Sequence, residues 1–185
     1  MSDSDQMSKE RMLSSSMLYE GRVVNLRVDD VETAKGVKTK REVVEHRPAV
    51  AILPVIGYKL LLVRQFRYAV GEETIEVCAG LVEEGEDLEE AIKREMQEEL
   101  GYIPESMSEI GSFYVSPGFC TEMVTLFFTL NPVKSSRPQD TDEDVRVVEV
   151  PFEEVVPLLS SGKIRDAKTF AAISWFLGLV GAAPR

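Results

Sequence analysis

The chain has 185 residues and a formal net charge of −11, from 32 acidic and 21 basic side chains. A chain of this length suits one compact domain, alone or with a small appendage. Hydrophobic residues make up 44% of the sequence and charged residues 29%. Since no apolar run approaches the roughly 18 residues that would span a bilayer, the composition excludes a membrane-spanning protein.

Several other classes of protein are disfavoured by the composition. Residues 1–16 are polar and lack the basic and apolar regions of a secretory signal, so we expect the protein in the cytoplasm. Two cysteines, Cys78 and Cys120, and one histidine, His46, are too few for a disulfide framework or a four-ligand zinc site. The excess of acidic over basic side chains argues against binding of nucleic acid through a broad basic surface.

The predicted elements begin with a flexible arm over residues 1–16 and a β-hairpin subdomain over residues 17–47. Residues 48–185 form a larger domain, whose central helix has Asp87 and Gly101 as its caps. The predicted strands of that domain are 49–55, 60–66, 74–77, 110–115, 124–130 and 145–150, and its predicted helices are 87–100, 152–159 and 166–179. Strands before and after a central helix indicate a layered α+β or α/β domain.

The central helix carries a concentration of carboxylates. Glu95, Glu98 and Glu99 share one sector of it, because residues three and four apart lie on the same face. Like charges at this spacing repel each other, and clustered carboxylate oxygens are what Mg²⁺ or Mn²⁺ requires. The alternative is that these glutamates form the solvated face of an amphipathic helix.

The full spacing around these glutamates favours the metal-binding interpretation. From Gly80 to Gly101 the pattern is Gly, five residues, Glu, seven residues, Arg-Glu, an apolar residue, any residue, Glu-Glu, any residue, Gly. This pattern resembles the signature of the Nudix hydrolases position by position. One position departs from the family, since Tyr102 stands where an aliphatic residue is usual, and the departure affects packing at the helix exit.

The resemblance implies an α+β fold, an α/β/α sandwich with a mixed sheet, in which the signature binds divalent cations. It implies Mg²⁺ as the cofactor, with Mn²⁺ as the alternative, and the following metal ligands: Glu95, Glu98, Glu99 and the carbonyl of Ala79. Arg94 would belong to the catalytic set by pairing with Glu86 or a neighbouring acid, which fixes the loop before the helix.

A proline beyond the signature points to one subgroup of the family. Pro117 lies fifteen residues after Tyr102 and resembles the marker of the ADP-ribose pyrophosphatases. With Gly118 it would border the substrate. The alternative is an ordinary type II turn, which Pro-Gly forms readily.

Residues 63–67 and 76–80 resemble the strand pair that leads into the signature in the same subgroup. Arg67 would bind the phosphates of the substrate, since a guanidinium matches them bidentately, and Glu76 would position the substrate. A surface ion pair is the alternative role of Arg67.

The acidic stretch 140–144 precedes the last predicted strand, where this subgroup carries a mobile loop with a catalytic glutamate. Glu143 is therefore the candidate general base, because a carboxylate on a loop can close onto the site after the substrate arrives. Asp142 and Asp144 are alternatives on the same loop, and Glu98 is the rival base. A loop that is merely solvated is the other interpretation.

The hairpin subdomain 17–47 is similar to the N-terminal subdomain that ADP-ribose pyrophosphatases exchange across a homodimer, so we expect a homodimer. In such a dimer Arg41 would contribute to the active site of the partner, and Tyr19 would stack on adenine. The alternatives are a surface position for Arg41 and a core position for Tyr19.

The expected activity is the metal-dependent hydrolysis of ADP-ribose or a related nucleoside diphosphate sugar, giving AMP and ribose 5-phosphate from ADP-ribose. One alternative is another nucleotide sugar such as GDP-mannose. A different class is a non-catalytic domain that senses ADP-ribose. The presence of all three signature glutamates favours the enzyme.

Overall fold

The structure is a computed structural model that describes residues 9–138 and 144–182. The described residues divide into two compact units, one of residues 9–47 and 116–122 and the other of residues 48–115, 123–138 and 144–182. The strands are β1 (Arg11–Glu20), β2 (Val24–Glu32), β3 (Lys38–His46), β4 (Ala49–Ile56), β5 (Lys59–Arg67), β6 (Glu72–Glu76), β7 (Cys78–Leu81), β8 (Tyr102–Ile103), β9 (Ser108–Tyr114), β10 (Met123–Leu130), β11 (Val133–Lys134) and β12 (Arg146–Pro151). The helices are α1 (Leu88–Glu95), the π-helical segment Met96–Leu100 that continues it, α2 (Phe152–Ser160) and α3 (Ala167–Ala182).

The first unit contains an antiparallel sheet in the order β1-β2-β3. The predicted hairpin corresponds to β2 and β3. The predicted arm is wrong for residues 11–16, because they belong to β1 and pair with β2. Residues 11–16 do not alternate between apolar and polar side chains, because Met12 and Leu13 are adjacent and three serines follow. Backbone pairing does not need such alternation, and the Ser14 hydroxyl also donates to the Asp30 carboxylate at 3.0 Å.

The second unit is built on a mixed sheet of seven strands. The order is β12-β5-β4-β10-β9, with β6 beside β5 and β7 beside β4. Strands β4 and β10 run parallel, and the other neighbours run antiparallel. Every residue of β4 except the last is buried, which is expected of a strand covered on both faces.

Helices cover both faces of this sheet, because successive side chains of a strand point to opposite sides. On one face Ala51 and Leu53 belong to a core cluster that includes Val155 of α2 and Ile173 of α3. The opposite face carries a second cluster, with these members from β4, α1 and the π-helical segment: Val50, Ile52, Ala91, Ile92 and Met96. The predicted α/β/α sandwich is confirmed. No helix in the described ranges is long and apolar enough to cross a membrane.

The predicted helix over 87–100 begins and ends where expected but changes type on the way. Asp87 caps it by accepting a hydrogen bond from the Glu90 amide at 2.8 Å, and Gly101 ends it in the left-handed conformation, with φ of 75°. Its last five residues, Met96–Leu100, form a π-helical turn. Such turns are rare and often occur at functional sites. Glu98 and Glu99 therefore lie on a wider turn than the sequence predicted.

Candidate active site

The carboxylate of Glu95, at the end of α1, lies against the backbone of Gly80 in β7. A Cβ built on Gly80 would overlap the carboxylate atoms of Glu95. The glycine is therefore needed for close approach. Strand β7 falls largely within residues 76–80, which resemble a strand of the pair that leads into the signature. The pairing of Ala79 with Ala51 of β4 fixes where this edge meets the helix.

Glu99 is a buried carboxylate of the π-helical segment, with 5% of its surface exposed. The amide of Ala79 donates to its Oε2 at 3.2 Å. A charged group is tolerated at such a depth when hydrogen bonds and opposite charges compensate it. The structure thus brings Glu99 and the Ala79 backbone together, and the roles of Glu99 and of the Ala79 carbonyl as metal ligands stay predictions.

Arg94 connects the loop before the helix to the carboxylates on it. Its Nε and Nη2 donate to the two oxygens of Glu86, each at 2.9 Å, and Nη2 also donates to the Leu81 carbonyl at 2.9 Å. Its Nη1 donates to Glu95 at 2.6 Å and to Glu98 at 3.4 Å. The hydrogen bond from Arg94 holds the pKa of Glu86 below its usual value, and that bond likewise raises the pKa of Arg94.

A second arginine, which the sequence analysis did not identify, reaches Glu98 from the other side. The Nε of Arg137 lies 3.4 Å from Oε1 of Glu98, and its amide donates to the Gln97 carbonyl at 3.1 Å. The Gln97 side chain in turn donates to the Ser135 hydroxyl at 2.8 Å. The only sequence signal for this contact is a basic residue shortly before an acidic stretch.

The acidic stretch itself is described only at its end. Glu143, the candidate general base, and Asp142 lie outside the described residues. Asp144 is described, and its Oδ2 lies 3.0 Å from Nη2 of Arg146 in an exposed ion pair.

The signature carboxylates fit a divalent cation by their chemistry. They are oxygen donors of the kind that Mg²⁺ prefers. The Glu95 carboxylate lies against the backbone of Gly80, which belongs to strand β7. Within residues 9–138 and 144–182, no three Asp, Glu, His or Cys side chains are gathered closely enough to hold one ion. Glu95 and Glu98 are both engaged by Arg94, and Glu99 by the Ala79 amide.

Arg67 and Glu76 form a bidentate pair. Nε and Nη2 of Arg67 donate to the two oxygens of Glu76 at 2.8 and 2.7 Å. Glu99 helps to raise the pKa of Arg67, although the hydrogen bond with Glu76 is the main cause. Arg67 thus forms an ion pair, as the alternative expected, and its own side chain is 44% exposed whereas that of Glu76 is buried. The binding of a phosphate by Arg67 stays a prediction.

Glu76 is 2% exposed and accepts two further hydrogen bonds. Thr74 donates to it at 2.6 Å and Lys168 donates at 2.6 Å. Burial raises the pKa of Glu76, but the hydrogen bond from Arg67 and the charge of Lys168 outweigh it and lower the pKa to about 2. A direct contact of Glu76 with substrate would have to break these bonds. Sequence analysis missed Lys168, which is 92 residues away along the chain.

The remaining predicted substrate residues belong to the first unit. Arg41, on β3, donates to both oxygens of Glu10 at 3.0 and 2.6 Å. Tyr19, on β1, is 58% exposed. The alternative prediction, that Tyr19 packs in the core, is therefore wrong. The roles of Arg41 and Tyr19 toward a substrate stay predictions.

Pro117 and Gly118 form the middle of a turn, in which the Phe119 amide donates a hydrogen bond to the Ser116 carbonyl at 3.1 Å. The turn is not type II, because Gly118 does not have the positive φ that this type requires. The Val44 amide donates to the Phe119 carbonyl at 2.8 Å, which joins the turn to β3 within the first unit.

Comparison with known proteins adds a family match and several relatives. The model of the NUDIX domain family matches residues 45–173. The chain is 38% identical over 170 residues to the ADP-ribose pyrophosphatase of Bacillus subtilis (strain 168), covering 90% of this chain and 92% of that protein. It is 35% identical over 170 residues to the methanol dehydrogenase activator of Bacillus methanolicus, with the same coverage of 90% and 92%.

A more distant relative is the GDP-mannose pyrophosphatase of Escherichia coli O139:H28, 33% identical over 150 residues, covering 75% of this chain and 78% of that protein. The crystal structure of an ADP compounds hydrolase matches with a TM-score of 0.85 and 21% identity, covering 96% of this chain and 98% of that one. At this identity the structural match shows the fold alone.

Proposed function

The chain belongs to the Nudix family, and on that premise we propose that it hydrolyses the diphosphate linkage of ADP-ribose or of a related nucleoside diphosphate sugar. From ADP-ribose the products are AMP and ribose 5-phosphate. The observation that carries the proposal is the complete set of signature carboxylates, Glu95, Glu98 and Glu99, held by Arg94 and by the Ala79 amide at one edge of the sheet. A sensor without catalysis would not need this set.

The proposed metal is Mg²⁺, with Mn²⁺ as the alternative, bound by the three glutamates and the carbonyl of Ala79. When bound, the cation neutralises the diphosphate and activates a water for attack on phosphorus. Arg94 fixes the carboxylates and, through Glu86, the loop before α1. Arg67 binds a phosphate, because its side chain is 44% exposed even while it is paired with Glu76.

Glu143 is the proposed general base, and Glu98 is the rival. The support for Glu143 is that Glu98 already accepts from Arg94 and lies in an ion pair with Arg137, so its oxygens are partly committed. Comparing Glu143→Gln with Glu98→Gln separates the two. If a residue is the general base, its loss should remove the increase of kcat that accompanies rising pH as the base loses its proton. Loss of a metal ligand should instead raise the metal concentration needed for half-maximal rate.

We place a homodimer interface in the first unit. The support is β1, an edge strand whose residues are all exposed. Five of its large apolar side chains are open to solvent: Met12, Leu13, Met17, Leu18 and Tyr19. Light scattering coupled to size exclusion tests this proposal, and a molecular mass of one chain across a wide concentration range would refute it.

The proposed activity is tested by product release from ADP-ribose, GDP-mannose, UDP-glucose, NADH and diadenosine polyphosphates, each with Mg²⁺, Mn²⁺ or EDTA. We expect metal-dependent hydrolysis with a preference for ADP-ribose, as the 38% identical relative suggests. GDP-mannose is the second candidate because of the 33% identical relative. Binding of one compound without turnover would instead support the sensor.

A further inference from the structure

Lys168, in the first turn of α3, is a nearly buried cation that joins two carboxylates. Its side chain is 15% exposed. Its Nζ donates to Oε2 of Glu76 at 2.6 Å and to Oδ1 of Asp166 at 2.8 Å. The desolvation of an ammonium group at such a position is offset only by partners of opposite charge.

Glu76 is shared between this lysine and Arg67. The same oxygen, Oε2, accepts from Nη2 of Arg67 at 2.7 Å and from Nζ of Lys168 at 2.6 Å. The charges therefore alternate along a row from Asp166 through Lys168 and Glu76 to Arg67. The hydrogen bond with Glu76 is the main cause that raises the pKa of Arg67, and the charge of Glu99 adds to it, so the last member of the row also interacts with one signature glutamate.

From this geometry we infer that Lys168 is a positioning residue for the phosphate-binding Arg67 and acts on it through Glu76. The inference rests on the proposed function, because the diphosphate is the ligand that Arg67 would bind. With Lys168 present, Arg67 supplies only part of the charge that the buried carboxylate needs. Without Lys168, Arg67 would have to compensate Glu76 by itself, and Glu76 would compete more strongly with an anionic substrate.

Lys168 is not the sole attachment of α3 to the residues it packs on. The Thr169 hydroxyl accepts from the Val77 amide at 2.8 Å and donates to Oδ2 of Asp166. The amide of Thr169 also donates to Oδ2 of Asp166 at 2.9 Å, which caps the helix. These bonds remain when Lys168 is replaced, so its effect on Arg67 can be separated from an effect on the fold.

The first test is steady-state kinetics of Lys168→Met with ADP-ribose and Mg²⁺. We expect KM to rise about tenfold while kcat changes less than about twofold, because a charge-assisted contact that aids ground-state binding is weakened. Lys168→Arg keeps the charge and should restore KM to within about threefold of the wild type. Lys163→Met is the matched control, since within the described residues Lys163 has no ion pair, and its KM should not change.

A double-mutant cycle with Arg67→Ala distinguishes positioning from a structural role. If Lys168 acts through Arg67, then Arg67→Ala/Lys168→Met has the same KM as Arg67→Ala alone. Additive losses in KM would overturn the inference, as would an unchanged KM in Lys168→Met. If Lys168→Met does not fold by circular dichroism, Lys168→Gln enters the same cycle.

The inference and the proposed function fail in different ways. If the wild type hydrolyses no nucleotide sugar, the proposed function fails. Calorimetric titration of ADP-ribose with Mg²⁺ then compares Kd across the same variants, and the same pattern of loss and rescue is expected. A Kd that Lys168→Met leaves unchanged, or a wild type that binds no ADP-ribose, would overturn the inference.

Discussion

The carboxylate of Glu95 and the backbone of Gly80 are in such close contact that a methyl group on Gly80 would overlap the carboxylate. One residue is at the end of a helix and the other is in a short edge strand. Their contact sets how closely the carboxylate-bearing helix approaches the Ala79 amide and carbonyl. The position of the candidate metal ligands therefore depends on residue 80 being a glycine, which has no side chain.

Gly80→Ala should lower kcat/KM by about 100-fold or more, because the added methyl group displaces the Glu95 carboxylate, and misplacement by about 1 Å is costly to catalysis. The measurement is hydrolysis of ADP-ribose at saturating Mg²⁺. Gly178→Ala is the control, since Gly178 lies in α3 with open space around its Cα and alanine favours a helix. Full activity of Gly80→Ala would mean that Glu95 is not a ligand in the position seen here.

Glu99→Gln should reduce kcat by at least about 100-fold with little change in fold, because it removes a charged metal ligand and preserves an oxygen for the Ala79 amide. Turnover and circular dichroism are measured together. Glu89→Gln serves as the control, because Glu89 is an exposed residue of the same helix. An active Glu99→Gln enzyme would contradict the metal-site assignment.

Replacing Arg94 with methionine should cost roughly 3 to 5 kcal/mol of unfolding free energy, because it removes the cation that pairs with the partly buried carboxylates of Glu86 and Glu95. Urea unfolding at neutral pH provides the measurement. Arg146→Met removes an arginine from an exposed pair with Asp144 and should change stability by less than about 0.5 kcal/mol. Equal losses in the two variants would show that the contacts of Arg94 are not the source of its effect.

The pH dependence of stability should reveal Glu76. Its pKa of about 2 in the folded protein lies below the ordinary value of 4.5, so its stabilising contribution is complete above pH 4.5 and is lost as the pH falls toward 2. The full contribution is on the order of 3 kcal/mol. Urea unfolding between pH 6 and pH 3 should show a shallower pH dependence for Glu76→Gln than for the wild type.

The matched control for this experiment is Glu149→Gln. Glu149 forms an exposed pair with Lys59, so its removal should leave the slope of stability against pH close to that of the wild type. If Glu76→Gln and the wild type lose stability in parallel as the pH falls, the charge of Glu76 does not contribute as its contacts indicate.

The sequence predicted those features whose cause is local. Alternating and helical apolar patterns gave the main strands and the three helices, and Asp87 and Gly101 marked the ends of the central helix. The bond from Arg94 to Glu86 was also predictable, since the two are eight positions apart and only the cap Asp87 and the first turns of α1 lie between them. The prediction failed for residues 11–16 of β1, which lack an alternating apolar pattern and pair with β2 through the backbone.

Contacts between distant parts of the chain were beyond the reach of sequence patterns. Nothing near Glu76 in the sequence indicates Lys168, and nothing near Glu98 indicates Arg137. The π-helical turn that carries Glu98 and Glu99 was likewise unpredicted, because an apolar pattern suited to an α-helix does not reveal a local change of pitch.

The spacing of the signature residues was therefore sufficient to identify the family and the chemical type of the site, since the carboxylates needed for a divalent cation lie on one short helix. Their environment was decided by tertiary structure. Packing against β7 determined that Glu95 meets Gly80 and that Glu99 meets the Ala79 amide, and packing of α3 brought Lys168 to Glu76. The physical reason is that burial and long-range electrostatic contacts depend on which elements become neighbours, and neighbourhood in the fold is not encoded by any single segment.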